Sequence, residues 1–195
     1  MPKKEVFQHS VLIISASEQF DALIKKSFAP GVFQSIESRR SASLARRAIL
    51  ERFYDMVIIN APLPDENGVN MALDAAEKTN ASVLLVVPKE VYNDVLEKVT
   101  DEGVLVMYKP APKGIMDKAV RFLTATQNKL CLYDKKVKKA EEKLEEMRIV
   151  NKAKFMLVEK KSMTEDDAHR LIGKTAMDNG ISRARAASMI MDDLE

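Results

Sequence analysis

The sequence predicts an α/β fold in which a five-stranded parallel sheet is followed by a long helix and a three-helix bundle. Two observations support this prediction. Short apolar runs alternate with amphipathic stretches up to residue 124, whereas the rest of the chain repeats apolar residues every three or four positions. We therefore expect an α/β domain over residues 1–124, a coiled-coil linker helix over 125–148 and a helical bundle over 149–195.

Five apolar runs predict the strands of the sheet. Runs such as VLII and SVLLVV are apolar at every position, which is typical of parallel strands buried on both faces. Each run is followed by a stretch with helical periodicity. The predicted strands are 11–15, 33–36, 56–60, 83–87 and 104–107, and the predicted helices are 18–28, 43–51, 69–79, 91–100 and one that begins at residue 113.

Composition restricts the class of protein. No apolar stretch approaches the roughly 18 residues that a membrane-spanning helix needs, and no secretory signal is present, so we expect a cytoplasmic protein without a membrane partner. The single cysteine, Cys131, excludes a disulfide framework and a site built from several thiolates. The net charge of +2 arises after Thr124, where 15 basic residues face 13 acidic ones. Such a small excess does not by itself identify a polyanion partner.

A heptad repeat occupies the predicted linker helix. In a parallel dimer of this register, two of the three flanking charge pairs would be attractive, among them Lys129 with Asp134. We therefore predict a homodimer, and the alternative is a single helix with a solvated charged surface. The predicted dimerisation residues are Leu130, Tyr133, Val137, Ala140, Leu144 and Met147.

Capping residues divide the C-terminal segment into three helices. The long helix is expected to end near Lys161, and Thr164 is expected to cap the next helix, which closes at Asn179-Gly180. Ser182 is expected to cap a final short helix. The predicted buried faces contain Ala168, Leu171, Ile172 and Ala176 on the middle helix, and Ala187, Ile190 and Met191 on the last one.

Two loops of the α/β domain carry a family resemblance. Pro64 and Gly68 lie in the segment IINAPLPDENG after the third strand, and Lys109-Pro110 follows the fifth. Together with the order of strands and helices, they make about 110 residues resemble a response-regulator receiver. The resemblance implies a flavodoxin-like fold with its functional groups at the carboxyl ends of the strands.

In that family an aspartate at the end of the third strand accepts phosphate, an acidic pair after the first strand holds a divalent cation, and a Ser or Thr after the fourth strand bonds the phosphoryl group. An amide cannot become an acyl phosphate, and without the acidic pair the oxygen ligands for Mg²⁺ are missing. We therefore expect a pseudo-receiver that is not phosphorylated in the usual way. The corresponding positions here are Asn60, Ser15 with Ala16, and Val87, and only the lysine, Lys109, is retained.

Four residues complete this interpretation. Val106 stands where the family usually places its switch aromatic residue. Lys109 is expected to be a partly buried lysine that bonds loop carbonyls or Asn60. Asp65 and Glu66 are expected to be exposed loop acids rather than metal ligands. Control by a regulatory protein or ligand at the pseudo-receiver would then replace phosphorylation.

The segment from about Met147 to Met191 resembles the ANTAR domain, the RNA-binding output module of transcription antiterminators. The resemblance implies a dimer that binds a leader transcript with two hairpins and prevents formation of a terminator hairpin. It rests on Ala153-Lys154 with Met156, on Thr164 with Glu165 and Ala168, and on Ala176-Met177.

Basic residues in this segment are the candidates for RNA contact, because phosphate binding requires positive charge. The resemblance singles out Lys154; for the other cations the alternative is a solvated charged face. His169 is a candidate for base stacking, and its alternative is a surface histidine without a role. Phe155 is a second aromatic residue but is equally expected to belong to the core. Thr164 is a candidate RNA contact or a plain N-cap. The candidate RNA-binding residues are Lys152, Lys154, Lys160, Lys161, Thr164, His169, Arg170, Lys174, Arg183 and Arg185.

We predict neither an enzyme nor a cofactor. No Ser-His-Asp set, glycine-rich phosphate loop or group of metal ligands is evident, and the two histidines, His9 and His169, are far apart in the chain. The main alternative is a protein-binding adaptor that docks a partner regulator through its pseudo-receiver. A phosphorylated switch and a DNA-binding protein are weaker alternatives. DNA binding is disfavoured because the sequence contains no recognition helix with base-reading residues.

Overall fold

A computed structural model describes residues 7–194. Its internal contacts divide the chain into two units, Met1–Cys131 and Leu132–Glu195. Within the described residues, no helix has the length and apolarity required to span a membrane.

The first unit is built on a five-stranded sheet, as predicted. The strands are β1 (His9–Ile14), β2 (Phe33–Arg39), β3 (Met56–Asn60), β4 (Ser82–Pro88) and β5 (Val104–Lys109). They are all parallel and lie in the order β2-β1-β3-β4-β5. The carboxyl ends of β1, β3 and β5 therefore lie at one edge of the sheet, where the family resemblance places its functional groups.

Helices cover both faces of the sheet. One face packs on α2 (Ala42–Glu51), α3 (Val69–Lys78) and α4 (Tyr92–Val99), and the other packs on α1 (Glu18–Ser27) and the start of α5 (Lys113–Lys161). These boundaries agree closely with the predicted ones. Because both faces are covered, the middle strands are apolar and buried along their length.

Gly68 determines how the loop after β3 enters α3. It has φ of 87° at the N-cap position, and a Cβ atom there would lie 3.0 Å from Cβ of Ala61. A side chain would therefore meet both backbone strain and a close contact.

The second unit packs the C-terminal part of α5 against α6 (Glu165–Asn179) and α7 (Arg183–Asp192). Thr164 and Ser182 cap α6 and α7, and Gly180 ends α6 with φ of 63°, as predicted. The prediction for Leu171 is wrong, because its side chain is exposed: two small helices cover only a narrow stripe of α6. The core consists mostly of small side chains, namely Ala153, Leu157, Ala168, Ile172, Ala176, Ala186 and Ala187.

Candidate functional site

At the carboxyl edge of the sheet, Asn60, Ser15 and Lys109 form a hydrogen-bonded set that we term the strand-end network. The Asn60 amide nitrogen donates to Oγ of Ser15 at 3.0 Å, and its oxygen accepts from Nζ of Lys109 at 2.7 Å. The Ser15 hydroxyl also accepts from the backbone N–H of Ser17 at 3.0 Å. Both ends of the buried Asn60 amide are thus bonded.

Lys109 lies in this network without a carboxylate. Burial lowers the pKa of its ammonium group from the usual value. Its bond to Asn60 confirms the sequence-based interpretation of Lys109 as a partly buried lysine that bonds this residue. Since the Asn60 side chain is neutral, it solvates the ammonium group but supplies no nucleophilic oxygen for phosphate.

The residues at the cation position do not fit Mg²⁺. Ser15 and Ala16 contribute no carboxylate, and Nη1 of Arg40 donates to the Ser15 carbonyl oxygen at 3.1 Å and to Oδ2 of Asp21 at 3.2 Å. A guanidinium group is always charged, so it opposes a second cation at this place. Val87, at the position of the phosphate-bonding hydroxyl, is buried and apolar.

The two loop acids after β3 both have structural partners, and only Glu66 departs from the prediction that they are exposed. Asp65 is exposed, but its carboxylate oxygens accept from the backbone N–H groups of Ala42 and Ser43 at 2.9 Å each, which caps α2. Glu66 is only half-exposed and pairs with Arg46 at 2.8 Å. These contacts tie the loop to α2 and leave no acid oriented as a metal ligand set.

The second unit has two neighbouring grooves on α5. The first, of about 410 Å³, is the His169 groove; the second, of about 530 Å³, is the Phe155 groove. Both grooves share Asn151 and Lys154. The His169 groove is also lined by Lys143, Glu146, Met147, Val150 and Arg183, and the Phe155 groove by Val158, Met163, Thr164 and Glu165.

Phe155 is a candidate RNA-binding residue that the sequence alone does not identify. Its side chain is 67% exposed, so the alternative that it is a core residue is wrong. Neighbouring residues Ala153 and Leu157 take the core positions of this turn. An exposed phenyl ring beside a lysine provides a flat apolar surface next to a positive charge, which is the combination that unstacked bases require.

Lys154 lies between the two grooves and is already paired. Nζ is 2.7 Å from Oε1 of Glu165, and the Lys154 side chain is only 17% exposed. The hydrogen bond from Lys154 lowers the pKa of Glu165. Thr164, next to Glu165, acts as the N-cap of α6: its hydroxyl accepts from the backbone N–H of Asp167 at 3.2 Å and donates to the Asp167 carboxylate at 2.7 Å.

The other predicted RNA-binding cations are distributed unevenly. Arg183 lines the His169 groove. Lys160 donates to the Leu194 carbonyl oxygen at 2.7 Å, and Arg170 pairs with Asp167 at 3.2 Å. The remaining four are exposed and line neither groove: Lys152, Lys161, Lys174 and Arg185.

The heptad positions of α5 present an apolar strip to solvent in the single chain. Such a strip on a long exposed helix is typical of a surface that packs against another helix. The six predicted residues are all exposed: Leu130, Tyr133, Val137, Ala140, Leu144 and Met147.

One group of residues contradicts the expectation that no metal ligands cluster. Ligand atoms of His9, Asp55 and Cys131 lie within 4.8 Å of one another in the first unit. These residues are 46 and 76 positions apart in the chain, so no local spacing in the sequence indicates that they meet.

Known proteins resemble both units of the chain. The family model for the ANTAR domain matches residues 138–191. The transcriptional regulatory protein PdtaR of Mycobacterium tuberculosis is 26% identical over 141 residues, which cover 72% of this chain and 68% of that protein.

Solved structures share the fold of the first unit. The signal receiver domain of an HD domain-containing protein from Pseudomonas fluorescens Pf-5 superposes with a TM-score of 0.56 at 18% identity, covering 66% of this chain and 96% of that one. The chemotaxis response regulator CheY4 of Vibrio cholerae gives 0.51 at 12% identity, covering 60% and 98%. The chain therefore carries a receiver-like domain followed by an ANTAR domain, the domain composition of an ANTAR-domain response regulator.

Proposed function

We propose that this protein is an RNA-binding transcription antitermination regulator, in which a dimer binds the loops of tandem hairpins in nascent mRNA and prevents terminator formation. The observation that carries the proposal is the pair of grooves on either side of Lys154 within the matched ANTAR region. We also propose the domain limits of residues 1–124, 125–148 and 149–195 for the three functional segments.

The grooves suit the chemistry of an RNA loop. Loop bases are unstacked, and proteins bind them by ring stacking and by hydrogen bonds to their edges. Phe155 lines one groove and His169 the other, so a ring is present on each side of Lys154. Arg183 and Lys143 add positive charge to the His169 groove, where they would contact phosphates.

Two hairpins require two bundles. The exposed heptad strip of α5 gives each chain a surface for pairing in parallel, which would link two ANTAR domains. Linking two weak sites raises the overall affinity because the second contact becomes intramolecular. Tandem hairpins would therefore be preferred over a single one.

The receiver-like domain is proposed to act without phosphate. Asn60 stands at the position of the acceptor carboxylate, and Arg40 donates to the Ser15 carbonyl oxygen next to the expected cation position. Control would come from a regulatory protein or ligand that changes dimerisation or access to RNA.

The alternative function, an adaptor that docks a partner regulator, is favoured by one observation. Phe53 is 93% exposed and Leu50 lies exposed nearby in sequence, on the receiver-like domain. In that case the ANTAR domain would show no preference for hairpin RNA.

RNA binding by the full chain decides between the two functions. We expect a two-hairpin RNA to bind more tightly than an unstructured RNA of equal length, and Lys154→Ala to weaken binding about tenfold and lower the salt dependence by about one ion. Binding is measured by fluorescence anisotropy over a series of salt concentrations. Lys138→Ala removes an exposed lysine outside both grooves and is the matched control. Equal affinity for the two RNAs would refute the proposed function.

A further inference from the structure

The amino edge of the sheet, opposite the strand-end network, holds a group of three side chains that we term the amino-edge group. His9 begins β1, Asp55 directly precedes β3, and Cys131 lies on α5. Since β1 and β3 are parallel neighbours with Val11 opposite Met56, Asp55 lies beside the first residues of β1. The imidazole, carboxylate and thiol ligand atoms are all within 4.8 Å of one another.

His9 supplies the strongest indication of a ligand. Its side chain is fully buried, and its Nε2 is 2.9 Å from Oδ1 of Asn128. An amide oxygen only accepts hydrogen bonds, so Nε2 donates to Asn128; the neutral ring then has its lone pair on Nδ1, whereas Asp55 raises the pKa of His9 and favours a second proton on that atom. Nδ1 has no hydrogen-bond partner in the described part of the chain, and it faces Oδ1 of Asp55 at 3.9 Å. A buried ring nitrogen without a hydrogen bond is costly unless a proton facing Asp55 or a bound cation satisfies it.

Asp55 is held with one oxygen directed to the same place. Its Oδ2 accepts from the backbone N–H of Ser10 at 2.6 Å and from the Ser10 hydroxyl at 2.8 Å. These bonds fix the carboxylate and leave Oδ1 facing His9. The Asp55 side chain is 32% exposed, so an ion could enter from solvent on this side.

We propose that His9, Asp55 and Cys131 bind one Zn²⁺ ion through Nδ1, Oδ1 and Sγ, with water as the fourth ligand. These are the ligand types that zinc prefers, and tetrahedral coordination sets the ligand atoms about 3.3 to 3.8 Å apart. The observed separations need side-chain shifts of about 1 Å or less to reach that geometry. The thiol loses its proton to solvent on binding.

Asn128 acts as a positioning residue for this site. Metal-binding histidines generally donate their second ring N–H to an oxygen, which orients the ring, and Asn128 accepts that bond here. Asn128 and Cys131 are three residues apart on α5 and so lie on one face of the helix. Zinc would therefore fasten this part of α5 to the first residues of β1 and the residue before β3.

Gln127 also attaches α5 to the amino edge of the sheet, without a metal ion. Its amide nitrogen donates to the Asn80 carbonyl oxygen at 2.9 Å and to Oγ of Ser82 at 3.1 Å. The amino edge is therefore already in contact with α5, and the ion would find its three ligands prearranged. The proposed site lies at the start of the heptad strip, because its ligand Cys131 follows Leu130 directly.

Cobalt spectroscopy of the full chain tests the proposal. We expect the reduced, metal-free protein to bind one Co²⁺ with a thiolate-to-cobalt charge-transfer absorption, which Zn²⁺ then abolishes by displacement. Cys131→Ser should remove the absorption, and Asn128→Ala should weaken binding about tenfold. His169→Gln changes the only other histidine and should leave the spectrum unaltered.

Alkylation of the wild-type protein provides a measurement that does not depend on whether the variants fold. Cys131 is the only thiol, so intact mass reports its reaction with iodoacetamide directly. We expect stoichiometric Zn²⁺ to slow this reaction at least about tenfold, because a bound thiolate is protected. Cobalt binding without the charge-transfer absorption, or alkylation at an unchanged rate with zinc, would overturn the proposal.

Discussion

In the strand-end network polar side chains bond one another, whereas in the grooves of the bundle the two rings and Arg183 are left accessible. The Asn60 amide is bonded at both ends, and Lys109 is directed to it. In the grooves, Phe155 faces solvent and Arg183 lines an open surface. The strand-end network places a neutral amide where the family resemblance expects a carboxylate, and the grooves present a ring and a cation at the surface.

This difference indicates which region of the molecule carries the proposed activity. A closed neutral network stabilises the fold, because each buried polar atom has a partner. An exposed phenyl ring contributes little to folding, since its surface stays in water. The bundle therefore keeps at its surface the features expected of a binding site, while the receiver-like domain does not keep those expected of a reactive site.

The largest effect is expected from breaking the pairing on which the grooves depend. Replacing Val137 and Leu144 together by Glu should give monomers in sedimentation and weaken binding to two-hairpin RNA about a hundredfold, because the two sites are no longer linked. The control, Lys138→Gln with Lys139→Gln, changes the net charge equally off the strip. If the Glu variant stays dimeric, the dimer interface lies elsewhere.

An intermediate effect on RNA affinity is expected from breaking the ion pair between Lys154 and Glu165. Glu165→Gln removes the anion that Lys154 contacts at 2.7 Å, so we expect RNA affinity to rise about threefold. Asp178→Asn removes the same charge from an exposed position of α6 outside both grooves and should leave the affinity nearly unchanged. Titration by fluorescence anisotropy measures both variants. Weaker binding by Glu165→Gln would mean that the carboxylate itself assists RNA recognition.

No phosphorylation is expected at the strand-end network. Incubation with acetyl phosphate and Mg²⁺ should add no phosphoryl group, because Asn60 offers no carboxylate and Arg40 opposes the cation. Intact mass spectrometry reports the result, and a receiver with the complete acidic set serves as positive control. A phosphorylated residue at this edge would contradict the contrast between the two regions.

The secondary structure could be predicted well because its causes are local. Apolar runs marked all five strands, and the capping residues Thr164 and Ser182 marked helix starts. The hydrogen bond from Lys109 to Asn60 could also be anticipated, since the ends of parallel strands meet at one edge.

The remaining features depend on contacts between distant residues. Helical spacing places Leu171 on the buried face and leaves the position of Phe155 open, but α6 and α7 cover only part of the bundle surface, so both side chains are exposed. The pair of Lys154 with Glu165 joins two different helices. The meeting of His9 with Cys131 depends on how α5 crosses the amino edge, which no periodicity encodes.

Arg40 has a consequence for how the receiver-like domain responds to its surroundings. Its guanidinium group holds the Ser15 carbonyl oxygen as part of the chain itself, and it can be neither diluted nor exchanged. We therefore expect the segment between β1 and α1 to keep this contact whether or not magnesium is present.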